Sequence, residues 1–176
     1  LVVSLLLLSL IMYTGNLKEL NNLKKKDWLQ LMLVGLIGGS IPFILFFRGL
    51  QMTQGTTGAF LHKTIFLYVT IFAVLFLKER LTKGLLISSI LLIIGNYFMI
   101  TPAFNFSLGH IFILIAVMFW AAENTFAKHL LKKLSGNVVA FGRMIFGCVF
   151  IYVYLFFTGK LNLLLSMGSD QYIWII

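Results

Sequence analysis

The chain has 176 residues, 60% of them hydrophobic and 11% charged, with a mean hydropathy of +1.01. A soluble domain carries about a quarter charged residues, so this composition excludes an ordinary water-soluble fold and points to lipid as the solvent. The net charge of +9 is not the footprint of a nucleic-acid binder, because the basic residues fall in short clusters between apolar runs instead of forming a phosphate-binding face.

Lipid cannot satisfy the backbone of open strands, and the alternating short segments of a membrane barrel are absent, so helices are the expected spanning element. An α-helix needs roughly 20 apolar residues to cross a hydrocarbon core. In chain order the apolar runs fall at 1–13, 28–47, 57–77, 85–100, 109–127 and 138–157, with a further start at Tyr172. Gly15-Asn16, Gly55, Pro102 and Gly159 interrupt or end them. The chain opens at Leu1 inside an apolar run, without a charged leader, and stops inside another. The expectation is a fragment whose first helix is cut.

The charges then order the segments. Lys18, Lys24, Lys25 and Lys26 lie in the first connection, Lys78, Arg80 and Lys83 follow the 57–77 run, and Lys128, Lys132 and Lys133 follow the 109–127 run. The intervening connections are neutral at 101–108 and carry only Lys160 against Asp170 at 159–171. Every second connection is therefore basic, and the positive-inside rule places those around Lys24, Arg80 and Lys132 in the cytoplasm.

An internal repeat runs with this alternation. Tyr13-Thr14-Gly15-x-Leu17 ends one segment and Phe157-Thr158-Gly159-x-Leu161 ends another; Asp27 precedes Trp28 much as Asp170 precedes Tyr172. The first copy's connection is lysine-rich and the second's nearly neutral, as expected when homologous halves insert in opposite orientations. Chance likeness in Leu- and Phe-rich sequence is the competing explanation.

Particular phrases carry a resemblance. Gly49-Leu50-Gln51-Met52-Thr53, then Leu77-Lys78-Glu79-Arg80-Leu81-Thr82, then Gly84 and Gly95 follow one another at fixed order and spacing. After them come Gly109, Trp120-Ala121, Lys132-Lys133 and Phe141-x-Arg143. In that order they resemble the drug/metabolite transporter superfamily, in its EamA-domain branch. The resemblance implies an all-α, multi-pass transmembrane helix bundle, part of a ten-helix fold of two inverted five-helix repeats. Residues 1–101 would be the first repeat without its first helix, and residues 108–176 the start of the second. The implied function is a secondary transporter moving a small, amino-acid-like metabolite across the cytoplasmic membrane by alternating access, driven by a gradient. Alternatives are a flippase for lipid-linked substrates and a membrane scaffold or enzyme without transport.

Ionisable side chains within apolar helices are the natural site candidates, because lipid tolerates them only where they pair or face a cavity. Four stand out: Arg48, Lys63, Glu123 and Arg143, none with an opposite charge three or four residues away. Glu123 and Arg143 flank one basic connection at equal separation, so a charge pair or a shared cavity wall is expected; snorkelling of Arg143 and a contact of Glu123 with Lys128 are the plainer alternative. Arg48 and Lys63 flank the turn near Gly55, which puts them at matched depth, and would attract an anionic or zwitterionic solute. His62 adjoins Lys63, and a lone histidine is more often a hydrogen-bonded helix residue than a proton relay. Pro42 frees the carbonyl of Gly38 and bends its helix, while Gly35-x-x-x-Gly39 offers a small-residue packing face. Trp120, Asn124 and Tyr68 complete the candidate lining, although Trp and Tyr also form interfacial belts.

No HExxH, GxxxxGK[ST] or GxSxG motif and no paired Cys/His set is present. No cofactor is expected. The expected partners are a small-molecule substrate, the bilayer and a coupling proton, with a homodimer allowed and no nucleic acid. Reporters fused beside Lys24 and beside Lys160 should fall on opposite sides of the membrane; the same side for both would remove the two inverted copies.

Overall fold

A computed structural model describes residues 2–14, 17–78, 82–98 and 106–162. The expected start at Tyr172, and Arg80 and Pro102, lie outside the described residues. Among those described there is helix and no strand. The helices are α1 (Val2–Tyr13), α2 (Leu17–Asn21), α3 (Lys25–Gly39), α4 (Ile41–Gln51), α5 (Gly55–Lys63), α6 (Ile65–Leu77), α7 (Lys83–Tyr97), α8 (Leu108–Leu130) and α9 (Gly136–Phe157).

Among the described residues, four stretches are long and apolar enough to cross a membrane: Lys25–Gln51, Gly55–Leu77, Leu108–Leu130 and Gly136–Phe157. They coincide with four of the six apolar runs in the sequence. Two are interrupted. The Lys25–Gln51 stretch breaks at Ser40 (φ −135°, ψ −67°), where the backbone N–H and the hydroxyl of Ser40 both donate to the Leu36 carbonyl. Sequence placed the bend at Pro42; the break two residues earlier puts Pro42 in the first turn of α4, where a missing N–H is harmless. The Gly55–Leu77 stretch breaks at Thr64, whose N–H and hydroxyl donate to Leu61 O at 3.1 and 2.6 Å in a tightened single turn. Nothing in the composition of that run foretold this second interruption.

Packing divides the chain into two compact units, Leu1–Ser40 with Leu134–Ile176, and Ile41–Lys133.

In the first unit α3 and α9 run in the same direction, with Leu31 against Gly142 and Gly35 against Phe146 and Gly147. Their backbones meet at Gly39 and Gly147. A Cβ on Gly39 would stand 2.6 Å from the Arg143 carbonyl oxygen, and one on Gly147 would stand 2.7 Å from that of Gly39. Only glycine permits this approach, and Gly35-x-x-x-Gly39 is the packing face anticipated above. Trp28 closes on Phe146 edge-on at 6.1 Å. Helix α1 joins α9 through the stripe Ser4, Leu7, Leu8 and Ile11, one face at helical spacing. The repeated phrases end their helices alike: Thr14 and Thr158 each donate a hydroxyl hydrogen bond of 2.8 Å to the carbonyl four residues back.

Charge is sorted along this unit. Glu19, on α2 within the lysine-rich connection, accepts a 2.6 Å hydrogen bond from the Ser135 N–H that starts α9. This brings the Lys18–Lys26 connection to the N-terminal end of α9, and 22 residues at 1.5 Å each carry Lys160 about 33 Å away.

The second unit repeats the device with different partners. Helices α4 and α8 are antiparallel, the end of one against the start of the other. A Cβ on Gly49 would stand 2.7 Å from Gly109 O, and one on Gly109 would stand 2.9 Å from Gly49 O. The C-terminal ends of α6 and α8 flank a common groove, so Lys78 shares an end of this unit with Lys128, Lys132 and Lys133. Helix α7 exposes Leu86, Ile87 and Ile90 to Ile94.

Gly147→Val should weaken the α3–α9 crossing by roughly 1–3 kcal/mol, the usual cost of overpacking. Gly84→Ala, where a Cβ meets open space, should not. Reversible unfolding in detergent compares the two.

Candidate functional site

The apolar centre of the second unit is an aromatic cluster held between the first turns of α4, the end of α5 and the middle of α8. Trp120, 6% exposed, packs with Leu61, Ile113, Ala116 and Val117. Phe43 meets the Trp120 ring edge-on at 5.2 Å and Phe46 lies tilted at 5.4 Å. The His62 ring stands perpendicular to Trp120 at 5.2 Å and edge-on to Phe46 at 5.4 Å. Such edge contacts add about 0.5–1.5 kcal/mol each to the area they bury. Tyr68 packs against the same cluster from α6.

Helix periodicity explains the gathering. Ile113, Ala116, Val117 and Trp120 fall three and four residues apart and so form one stripe on α8. Continued by one turn, that stripe reaches Glu123, which is 2% exposed. Asn124, the next residue, is exposed although it stands four residues after Trp120 and seven after Val117, in phase with the same stripe.

The sequence candidates therefore separate. His62, Trp120 and Tyr68 come together in the second unit, and Glu123 lies one turn beyond them along α8. Pro42 is buried in the first turn of α4. Arg48 and Lys63 are exposed and not at equal depth. Arg48 lies three residues before the end of α4, whereas Lys63 is eight residues beyond the start of α5 and is its last residue, a difference of about 7.5 Å along the helices. Lys63 thus sits at the Thr64 interruption itself.

Arg143 belongs to the first unit, where it is half-buried and its Nη2 donates to Gly38 O at 3.4 Å. Sequence reasoning missed Phe43 and Phe46, because nothing in an apolar run distinguishes a phenylalanine facing a tryptophan from one facing lipid. The signal available was helical phase: both follow Pro42 on the turns that begin a helix.

Among the described residues, no group of three or more His, Cys, Asp or Glu side chains gathers to hold a metal. The site offers instead an aromatic wall, an imidazole and a buried carboxylate, beside a helix interruption. Groups of these kinds can contact and orient a small polar solute and can exchange a proton with it.

Trp120→Ala should destabilise the protein by about 3–5 kcal/mol through the cavity it leaves, and Trp120→Phe by clearly less. Detergent unfolding midpoints read the difference, and equal losses would show that the ring's packing is not what holds α4 and α5 to α8.

Comparison with protein families brings this arrangement to a known group. The EamA-like transporter family matches residues 1–101 and 107–176. No curated protein and no solved structure gives a significant match. The match covers nearly the whole chain and accords with the apolar spans and the helical architecture, so this is a multi-pass membrane protein set in a lipid bilayer, of the drug/metabolite transporter type, and it belongs to the EamA-like transporter family.

Proposed function

We propose that the protein is part of a gradient-driven secondary transporter that carries a small metabolite, amino-acid-like or related, across the cytoplasmic membrane by alternating access. Residues 1–101 belong to one five-helix repeat and residues 108–176 to an oppositely inserted second one. The opposite charge bias of the matched connections supports this, as does the identical threonine closure at the ends of α1 and α9. By the positive-inside rule the connections holding Lys24, Lys78 and Lys132 face the cytoplasm.

The observation that carries the reading is Glu123. It is a carboxylate 2% exposed, about 10 Å from the end of an apolar helix of 23 residues. Desolvating a carboxylate is costly, and within membrane helices such groups mark solute and proton paths. Glu123 is the coupling group of choice, taking up and releasing a proton as the path alternates. The aromatic wall of Trp120, Phe43 and Phe46, with His62, forms the solute side of that path. Lys63, at the Thr64 interruption, supplies a cation for the carboxylate of the solute, and Arg48 draws it toward the outer mouth. Interrupted helices are where transporters build such sites, since the broken turn exposes backbone groups at membrane depth.

Counterflow in proteoliposomes, run against a panel of amino acids and related solutes, is the direct experiment. Glu123→Gln should reduce proton-driven accumulation at least tenfold and flatten its pH response while leaving solute exchange measurable. Unchanged accumulation and pH response would take Glu123 out of the mechanism, and a panel without exchange would remove the carrier reading.

A further inference from the structure

Helix α8 carries a second stripe. Ala122, Thr125, Phe126 and His129 fall three and four residues apart, and none of them belongs to the cluster around Trp120. With Phe72 and Phe76 of α6 they line a groove of about 410 Å³, the size of a small-molecule site. Its walls are mostly rings and aliphatic carbons. Phe72 and Phe76 meet edge-on at 5.7 Å, and the Thr125 hydroxyl gives its proton to Ala121 O at 3.0 Å. A polar solute entering there would lose water without gaining hydrogen bonds, whereas a hydrocarbon chain loses nothing.

One end of this groove is basic. Leu77 lines it, and Lys78 follows directly; His129 lines it from α8, and Lys132 and Lys133 come within the next turn. The Lys132 N–H donates to His129 O at 3.4 Å and the Lys133 N–H to Leu130 O at 2.8 Å, so both lysines stay wound on the end of α8. All three lysines and His129 are exposed. Glu79 and Arg80, which follow Lys78 in the sequence, cancel in charge.

Lys78 adds an independent observation. It caps α6 with φ 56° and ψ 34°, and among the described residues no other non-glycine residue has a positive φ. Glycine adopts this left-handed cap without steric cost, and lysine does not. Orientation by the positive-inside rule needs basic residues anywhere in the connection; it does not need one at a strained cap beside a groove.

We propose that the groove between α6 and α8 binds an anionic phospholipid, one acyl chain lying among Phe72, Phe76 and Phe126 and the phosphate held by Lys78, Lys132 and Lys133. Basic recesses between membrane helices suit anionic headgroups, because chain burial and charge pairing act on one molecule. A zwitterionic lipid has the chain without the net charge. The site stands apart from the transport reading above and holds whether or not the protein carries a solute.

Native mass spectrometry of the full chain, with phosphatidylglycerol or phosphatidylcholine added to the detergent, tests this. One phosphatidylglycerol should be retained in clear preference to phosphatidylcholine, and excess inorganic phosphate should not displace it. Lys78→Gly removes the charge and the strained cap together. It should lower phosphatidylglycerol retention about fivefold while leaving the thermal midpoint unchanged or higher. Lys132→Gln/Lys133→Gln should lower retention further, whereas Lys25→Gln/Lys26→Gln, an equal loss of charge in the first unit, should leave it as it was. Ala122→Phe, which fills the groove with every lysine in place, should abolish it. Equal retention of the two lipids, an equal loss in the Lys25/Lys26 pair, displacement by phosphate or full retention in Ala122→Phe each overturns the proposal. Retention of neither lipid, as when another segment or a second copy covers the groove, overturns it too. Should Ala122→Phe fail to fold, the exposed lysine variants decide.

Discussion

Backbone-to-backbone contact through paired glycines is the constraint on which the rest of this structure depends. Between helices in lipid there is little hydrophobic drive, because acyl chains are as apolar as leucine. Association must come from close packing and from hydrogen bonds. Gly39 with Gly147, and Gly49 with Gly109, bring two pairs of helices near enough for main-chain atoms to touch. The consequence extends beyond packing. At the first crossing a side chain of α9 comes within reach of a carbonyl on α3, and at the second the start of α8 is set against the end of α4, which orients the stripe ending at Glu123. A Cβ at any of these four positions would part the helices and withdraw the polar groups that rely on their closeness.

Much of this was legible before any coordinates. Spans follow from hydropathy, since lipid thickness sets a length that sequence must meet. Basic connections keep to one end of their unit: Glu19 holds the first lysine-rich connection to the start of α9, and Lys78 shares an end with Lys132. Gly35-x-x-x-Gly39 declared its packing face by spacing alone. What was hidden has a common physical origin. Gly49 and Gly109, or Phe46 and His62, are contacts between segments, and a residue in an apolar run carries no mark of the partner it will meet. The Thr64 interruption was invisible for another reason. A threonine within an apolar helix is ordinary, and only its choice of Leu61 as acceptor tightens the turn.

The unequal depth of Arg48 and Lys63 shows how a boundary matters. Counting from Gly55 as the centre of a turn put the two cations level. The turn instead lies at residues 52–54, and α5 begins at Gly55, so Lys63 goes deeper by more than a turn of helix. One cation then lies near the end of α4 and the other at the interruption.

Hydroxyl groups complete the division between structure and site. Thr14, Ser40, Thr53, Thr64, Thr125 and Thr158 each donate to a carbonyl three or four residues earlier in the chain. Back-bonding of this kind satisfies the donor locally and bends helices where it occurs at their ends and breaks. With their protons committed to the backbone, these groups shape the helices and have only lone pairs to offer a passing solute. The nitrogen donors are placed differently: Arg143 at the Gly38 carbonyl, Lys63 at the Thr64 break and His62 against Trp120. On α8, Glu123 is a buried carboxylate. Desolvating a carboxylate is costly, so its retention inside an apolar helix sets Glu123 apart in kind from these hydroxyls, which the backbone satisfies locally.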